Sequence, residues 1–183
     1  MPLSPSPDRE EVHHRNLSMR AYRRRDGLYD VEAHLEDRKP FDFQRPNGQV
    51  LPAGEPWHDL WVRLVLDDRF VVRAIEAASE VTPHAICKEA EATLQVLVGE
   101  RVASGWSRLV KQRLRGAASC THLMEMLIPL ATAALQGIRA LQGFPQPVDA
   151  NGRPKKIDSC YAWAGHREVV KVKWPETGRA AIR

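Results

Sequence analysis

The sequence predicts an α+β fold: an antiparallel sheet of three to five strands with helices packed on one face. Three observations lead there. Apolar and polar residues alternate over residues 29–36 and again over 58–66, the period of a half-buried strand. From Thr82 onward the apolar spacing lengthens to that of helices. The strands therefore precede the helices instead of alternating with them, which is the order of an α+β domain.

Each element has its own signal. Residues 1–11, "MPLSPSPDREE", are rich in Pro, Ser and charge and read as a disordered tail. A single domain is expected over 12–183, with strands in 12–78, helices in 82–142 and a C-terminal extension over 143–183. Asp26-Gly27 marks a tight hairpin. After it, Tyr29, Val31, Ala33 and Leu35 share one face, and Asp30, Glu32, His34 and Glu36 the other. Pro40, Pro46, Pro52, Gly48 and Gly54 make 38–55 a long loop. In "WHDLWVRLVLD" the inward residues are Leu60, Val62, Leu64 and Leu66. Asp67-Asp68 turns the chain into a further strand, "FVVRAIEAA". Thr82-Pro83 reads as an N-cap with Pro at the first helical position, opening a helix to about Val98. A short helix follows in "GWSRLVKQRLRG". The third runs from about Ser119 to Leu141, with Leu123, Leu127, Leu130, Ala134, Ile138 and Leu141 inward and a kink or break expected at Pro129. "DSCYAWAGHREVVKVKW" is expected to form a turn and a hairpin or edge strand.

Composition narrows the classes. The chain has 183 residues, 43% of them hydrophobic, enough for a core. No run of eighteen apolar residues and no apolar or Arg-rich leader is present, so a cytoplasmic protein without a membrane partner is expected. Three cysteines are an odd number, which points to reduced thiols instead of a disulfide framework. The net charge of +4 is mild. The basic runs "RAYRRRDG" and "RLVKQRLRG" come without a nucleic-acid motif, so solvated faces are preferred and nucleic acid is disfavoured as a partner. A homodimer is compatible with the sequence.

Four side chains invite chemistry. His58 is in phase with Leu60, Val62, Leu64 and Leu66, so it points inward at the start of its strand. It reads either as a core histidine with one hydrogen bond or as a site residue. Cys87 lies in the first helix with His84 three residues earlier on the same face; its other reading is a small buried hydrophobe. Cys120 and His122 open the third helix. A helix N-terminus offers free N–H groups and positive potential, which favour a thiolate. Glu125, three residues beyond His122, is placed to orient the imidazole. No CxxC, HExxH, phosphate loop or nucleophile elbow accompanies them.

The stretches "RRRDGLYDVEAHLEDRK", "AGEPWHDLWVRLVLDD", "ICKEAEATLQVLVGERVASGW" and "AASCTHLMEML" resemble a bacterial family known as domain-of-unknown-function family 2889. Its motifs are G-E-P-x-H-D, then a Cys, then G-C-T-H-L-x-E-L, then D-S-C. The likeness extends over roughly residues 13–175. Ser119 stands where the motif has Gly, and Lys88 follows Cys87 where Pro is common. The resemblance implies a bacterial, cytoplasmic protein associated with catabolism of aromatic and other organic compounds. A more distant likeness is to the U-type iron–sulfur scaffold fold, also three antiparallel strands followed by helices. In that alignment His58 stands near the first cluster ligand, Cys87 about one turn past the second, and Cys120-Thr121-His122 near a later H-C pair. The scaffold's Asp falls on Leu60, with Asp59 one residue away, so the cluster-binding pattern is not intact. A single metal ion suits such a set better than a shared cluster.

These readings converge on one expected site. His58, Asp59, Cys120, His122 and Glu125 are the expected catalytic residues, with Glu89 nearby. His58, Cys87, Cys120 and His122 are the expected ligands of a single zinc or iron ion. The expected activity is that of a lyase, with hydrolase next, on a small organic substrate, aromatic compounds among the candidates; no NAD, flavin or nucleotide is expected. The alternative is a metal- or cluster-handling accessory protein that docks a partner through Trp57, Trp61 and Trp106.

Overall fold

A computed structural model describes residues 3–45 and 47–175. Strands β1 (His14–Arg23), β2 (Tyr29–Arg38), β5 (Pro56–Leu66) and β6 (Val72–Val81) form one antiparallel sheet in the order β1-β2-β5-β6. Between β2 and β5, two-residue strands β3 (Phe43–Gln44) and β4 (Val50–Leu51) pair with each other inside the expected loop. A 3-10 helical segment (Ala85–Leu97) and helices α1 (Trp106–Leu114) and α2 (Thr121–Leu141) follow. The α+β class and the strand-then-helix order are as the sequence predicts.

Alternation decides the layers. Tyr29, Val31, Ala33 and Leu35 of β2 and Leu60, Val62, Leu64 and Leu66 of β5 are buried, and they form one core with residues of all three helical segments. The opposite face of the sheet is polar. There Arg63 bonds both Glu32 and Glu76 at 2.8 Å, and His34 stacks on Trp61 with ring centroids 3.8 Å apart. Asp26-Gly27 does turn the first hairpin, with Gly27 at φ +87°, a region that suits a residue without Cβ. Asp67 closes the β5–β6 turn by accepting from the N–H groups of Arg69 and Val71.

The first helix differs in kind from the expectation. Thirteen residues keep 3-10 form, although such runs are usually short. Tertiary contacts account for it. The segment runs antiparallel beside the edge of β6: Glu91 accepts from the N–H of Ser79, Gln95 donates to the Ile75 carbonyl, and Gly99 donates to Val72. A rise of about 2.0 Å per residue, against about 1.5 Å in an α-helix, stretches it along the strand it covers. Thr82 is not its cap. Its hydroxyl donates to the His84 carbonyl, and His84 is the first flanking residue, with no side-chain cap bond.

Helix α2 is unbroken through Pro129. Leu123, Leu127, Leu130, Ala134 and Ile138 are buried as expected, but Leu141 is 59% exposed. The stripe stops at Ile138, where the first of two compact units ends. Gly137 lies where α2 meets β1: a Cβ there would lie 3.2 Å from that of Ala21, a tight contact. Trp106, expected to be exposed, is buried and donates its indole N–H to the Leu127 carbonyl at 2.9 Å.

The second unit begins at Arg139. It contains a 3-10 turn (Tyr161–Trp163) and a six-residue helix, α3 (Glu168–Lys173), where a strand was expected. The valines do not use their alternation, since Val170 is buried while Val169 and Val172 are exposed. Glu168 in the first turn and Lys171 and Lys173 in the last complement the helix dipole. No helix among the described residues is long and apolar enough to cross a membrane.

Burial predicts the cost of truncation. Leu127→Ala should lower the unfolding free energy by about 2–5 kcal/mol. Leu141→Ala should change it by less than about 0.5 kcal/mol, the range of surface substitutions. Urea denaturation of the two variants measures both.

Candidate functional site

The site begins with a row across three strands. Arg15 pairs with Asp37 in the β1–β2 register, and Asp37 pairs with His58 in the β2–β5 register. All three continue the inward phase of their strands beyond the apolar core. Asp37 is 1% exposed. Its two oxygens accept from Arg15 Nε at 2.6 Å and Nη2 at 2.7 Å, and Oδ2 lies 2.9 Å from His58 Nδ1. His13 Nε2 is 3.3 Å from Oδ1. A register shift between Asp37 and Arg38, and another between Asp59 and Leu60, flank His58 on both neighbours. Bulges of this kind commonly re-aim side chains beside functional sites.

Electrostatics fixes the protonation states. Burial alone would raise the Asp37 carboxyl, but the hydrogen bonds of Arg15 and His58 outweigh it and hold the pKa at about 2. For His58, burial and then the neighbouring His122 lower the pKa below 6.5, against the opposing pull of Asp37. At neutral pH His58 is therefore uncharged. Its Nδ1 carries the proton toward Asp37, because an ionised carboxylate only accepts, and Nε2 is left as an open acceptor.

Helix α2 adds the second half. The Cys120 carbonyl accepts the first helical bond, from Met124 N–H at 3.0 Å, so Cys120 is the N-cap. Burial pushes its thiol pKa up, but the hydrogen bond to His122 and the N–H groups of Leu123 and His122 overcome this and bring it below 9.0. Cys120 Sγ lies 3.9 Å from His122 Nδ1. The His122 ring lies against that of His58, with centroids 4.1 Å apart. Thr93 of the 3-10 segment anchors this start of α2, its Oγ1 lying 2.7 Å from Ser119 Oγ.

A cavity of about 320 Å³ opens at this meeting point, lined by Trp57, His58, Leu60, Ser79, Thr82, Pro83, His84, Cys87, Cys120 and His122. A second cleft, of about 520 Å³, adjoins it and shares Cys87, Cys120 and His122; Glu89 lines this one. Ser79 is 4% exposed, and its Oγ has no hydrogen-bond partner among the described residues.

The structure thus brings His58, Cys87, Cys120 and His122 to one place, as the sequence suggested. Two expected residues lie elsewhere. Asp59 is on the opposite face of the sheet, 2.8 Å from His34 Nε2, because its strand phase is outward. Glu125 is on the exposed side of α2 and acts by charge on Arg15, with no hydrogen bond to His122. A tighter group overlaps the expected ligands. Asp37, His58 and His122 each present a ligand atom within 4.8 Å of the other two, whereas Cys87 and Cys120 fall outside that group. Asp37, Arg15 and Ser79 were missed. Asp37 sits two residues beyond Leu35 in the same alternation, and that spacing was the available signal.

Fold and site define an α+β protein with a histidine- and thiol-lined pocket at one end of its sheet. The chain belongs to the family described as protein of unknown function (DUF2889), whose model matches residues 13–136. That match covers the whole pocket and stops short of Asp158-Ser159-Cys160. Over 77 residues the chain is also 31% identical to the exodeoxyribonuclease 7 large subunit of Pseudoalteromonas atlantica, a match spanning 42% of this chain and 17% of that protein. No solved structure matches, so the iron–sulfur scaffold likeness gains no support from that comparison. Cys87, Cys120 and Cys160 are free thiols.

The Cys120 geometry has a chemical consequence. Its rate of alkylation by iodoacetamide should rise with a midpoint below pH 9.0, and His122→Ala should move that midpoint upward. Mass spectrometry of the tryptic peptide containing Cys120 reads both.

Proposed function

We propose that this protein is a cytoplasmic lyase of a small organic substrate, with His58 as its general base. The observation that carries the reading is the Arg15–Asp37–His58 row ending at the 320 Å³ cavity. Asp37 orients the ring, keeps Nε2 unprotonated and stabilises the imidazolium that forms when His58 takes a proton. In the proposed step, Nε2 removes a proton from a substrate carbon. The freed electron pair becomes a new double bond, and the leaving group departs with its own bonding pair. Burial of Asp37 and His58 lowers the local dielectric and strengthens the interaction between them. Association with aromatic-compound catabolism accords with a ring-sized cavity, and reduced thiols accord with a cytoplasm.

A second reading rests on the 4.8 Å grouping of Asp37, His58 and His122. A zinc or iron ion there would draw on the two imidazoles, since Arg15 and His58 already occupy Asp37. Asp37 would then orient a metal-bound histidine, a common supporting role for a carboxylate. Elemental analysis of untagged protein separates the two: a stoichiometric metal that disappears in His58→Ala favours the accessory, metal-handling alternative or a metal-assisted lyase.

The base role is tested in heavy water. Wild-type protein should exchange or eliminate C–H protons of at least one member of a panel of small organic molecules, followed by proton NMR. His58→Gln should slow this by about 10²–10⁴-fold. An unchanged rate in that variant, or a panel without reaction, would count against the reading. The pH dependence has a definite sign. Activity should fall as acid protonates His58, with a midpoint below 6.5. Asp37→Asn removes a group that raises the His58 pKa, so the midpoint should move further down in that variant.

A further inference from the structure

We propose that Ser79 binds the oxygen of an uncharged carbonyl or hydroxyl substrate, and that the cavity selects against anions. The inference deepens the lyase reading, on which it rests, by naming the substrate class.

Three observations support it. First, Ser79 lines the cavity, is 4% exposed, and its Oγ has no partner among the described residues. Buried hydroxyls are nearly always satisfied, so an unpartnered one on a residue that lines a cavity points to a ligand atom. Its own backbone N–H is already taken by Glu91, which fixes the residue in place. Second, Ser79 is the register partner of Leu60, two residues along β5 from His58. Both residues line the cavity from adjacent strands. Third, no Lys, Arg, Asp or Glu is among the described residues that line it. A nearby cation, Arg15, directs both of its side-chain hydrogen bonds to Asp37. A carboxylate or phosphate entering here would meet no permanently charged lysine or arginine to offset the hydration it loses. An apolar cavity of about 150 Å³ admits benzene, so one of about 320 Å³ takes a ring with substituents.

The chemistry fits the base. When His58 removes a proton beside a carbonyl, the electron pair moves onto the carbonyl oxygen. A hydroxyl donor at that oxygen stabilises the charge as it develops. Ser79 is the buried donor available for it.

The experiment is calorimetric titration of the full chain with three ring compounds of similar size: acetophenone, benzoate and toluene. Acetophenone is expected to bind at least about tenfold more tightly than benzoate. Ser79→Ala should weaken acetophenone about three- to tenfold, the value of one hydrogen bond, and leave toluene unchanged. It should not lower the melting temperature, because the hydroxyl it removes has no partner. Benzoate binding as tightly as acetophenone would overturn the proposal. So would an unchanged acetophenone affinity in Ser79→Ala, an equal loss for acetophenone and toluene, or no binding of any probe at millimolar concentration. Binding is read apart from turnover. The expected pattern with a catalytically silent His58 would keep this inference and remove only the base role.

Discussion

Asp37 is a carboxylate placed where the sheet should be dry. Removing such an ion from water costs several kcal/mol, so it persists only with excellent partners. Arg15 supplies a side-on pair of short hydrogen bonds, the stronger geometry for a carboxylate, and His58 supplies a third. The three partners sit on three adjacent strands, so the interaction ties β1, β2 and β5 together at one end. It also sets the state of His58, whose ring is held by one nitrogen and open at the other. Acid should dissolve this arrangement in a known order. His58 is buried neutral, with a folded pKa below 6.5, so its contribution is present above 6.5 and declines as pH falls through the lower folded value. The Asp37 contribution is complete above 3.8 and is lost as pH falls toward about 2.

The rest of the fold brings partners to that histidine. Glu91 and Gln95 fasten the 3-10 segment to the edge of β6, and Thr93 of the same segment fastens Ser119. One helical strip therefore fixes both the strand that carries Ser79 and the helix start that carries Cys120 and His122. Burial of Leu123 and Leu127 seats α2 from below, while Cys120 completes its first turn. His58, Ser79, Cys120 and His122 are carried by the sheet and a helix N-terminus, with Thr82, Pro83 and His84 added from a short connection, and rigid elements suit a site that must hold its groups to a fraction of an ångström.

Much of this was legible in the sequence, for physical reasons that also explain the omissions. Strand alternation placed His58 inward and gave the meander, and helix N-terminal chemistry singled out Cys120 and His122. The same alternation placed Asp37 inward, but a charged residue after Leu35 reads as the end of a buried stripe. Its burial depends on Arg15, 22 residues away in the chain, and no local pattern reveals that pairing. Asp59 was attractive because it adjoins His58, yet a strand sends neighbours to opposite faces. The 3-10 form of the first helix follows from its contacts with β6, which helix propensity does not encode. The C-terminal valines alternate like a strand, but six residues with one buried valine form a helix instead.

The central claim is that Asp37 fixes His58 as the Nδ1–H tautomer with Nε2 free. Long-range proton–nitrogen correlation spectra of the histidine rings at pH 7.5 report this directly. A protonated Nδ1 and an unprotonated Nε2 are expected for His58, with Asp37→Asn losing that pure pattern. A His58 ring protonated on Nε2, or charged at that pH, would contradict it.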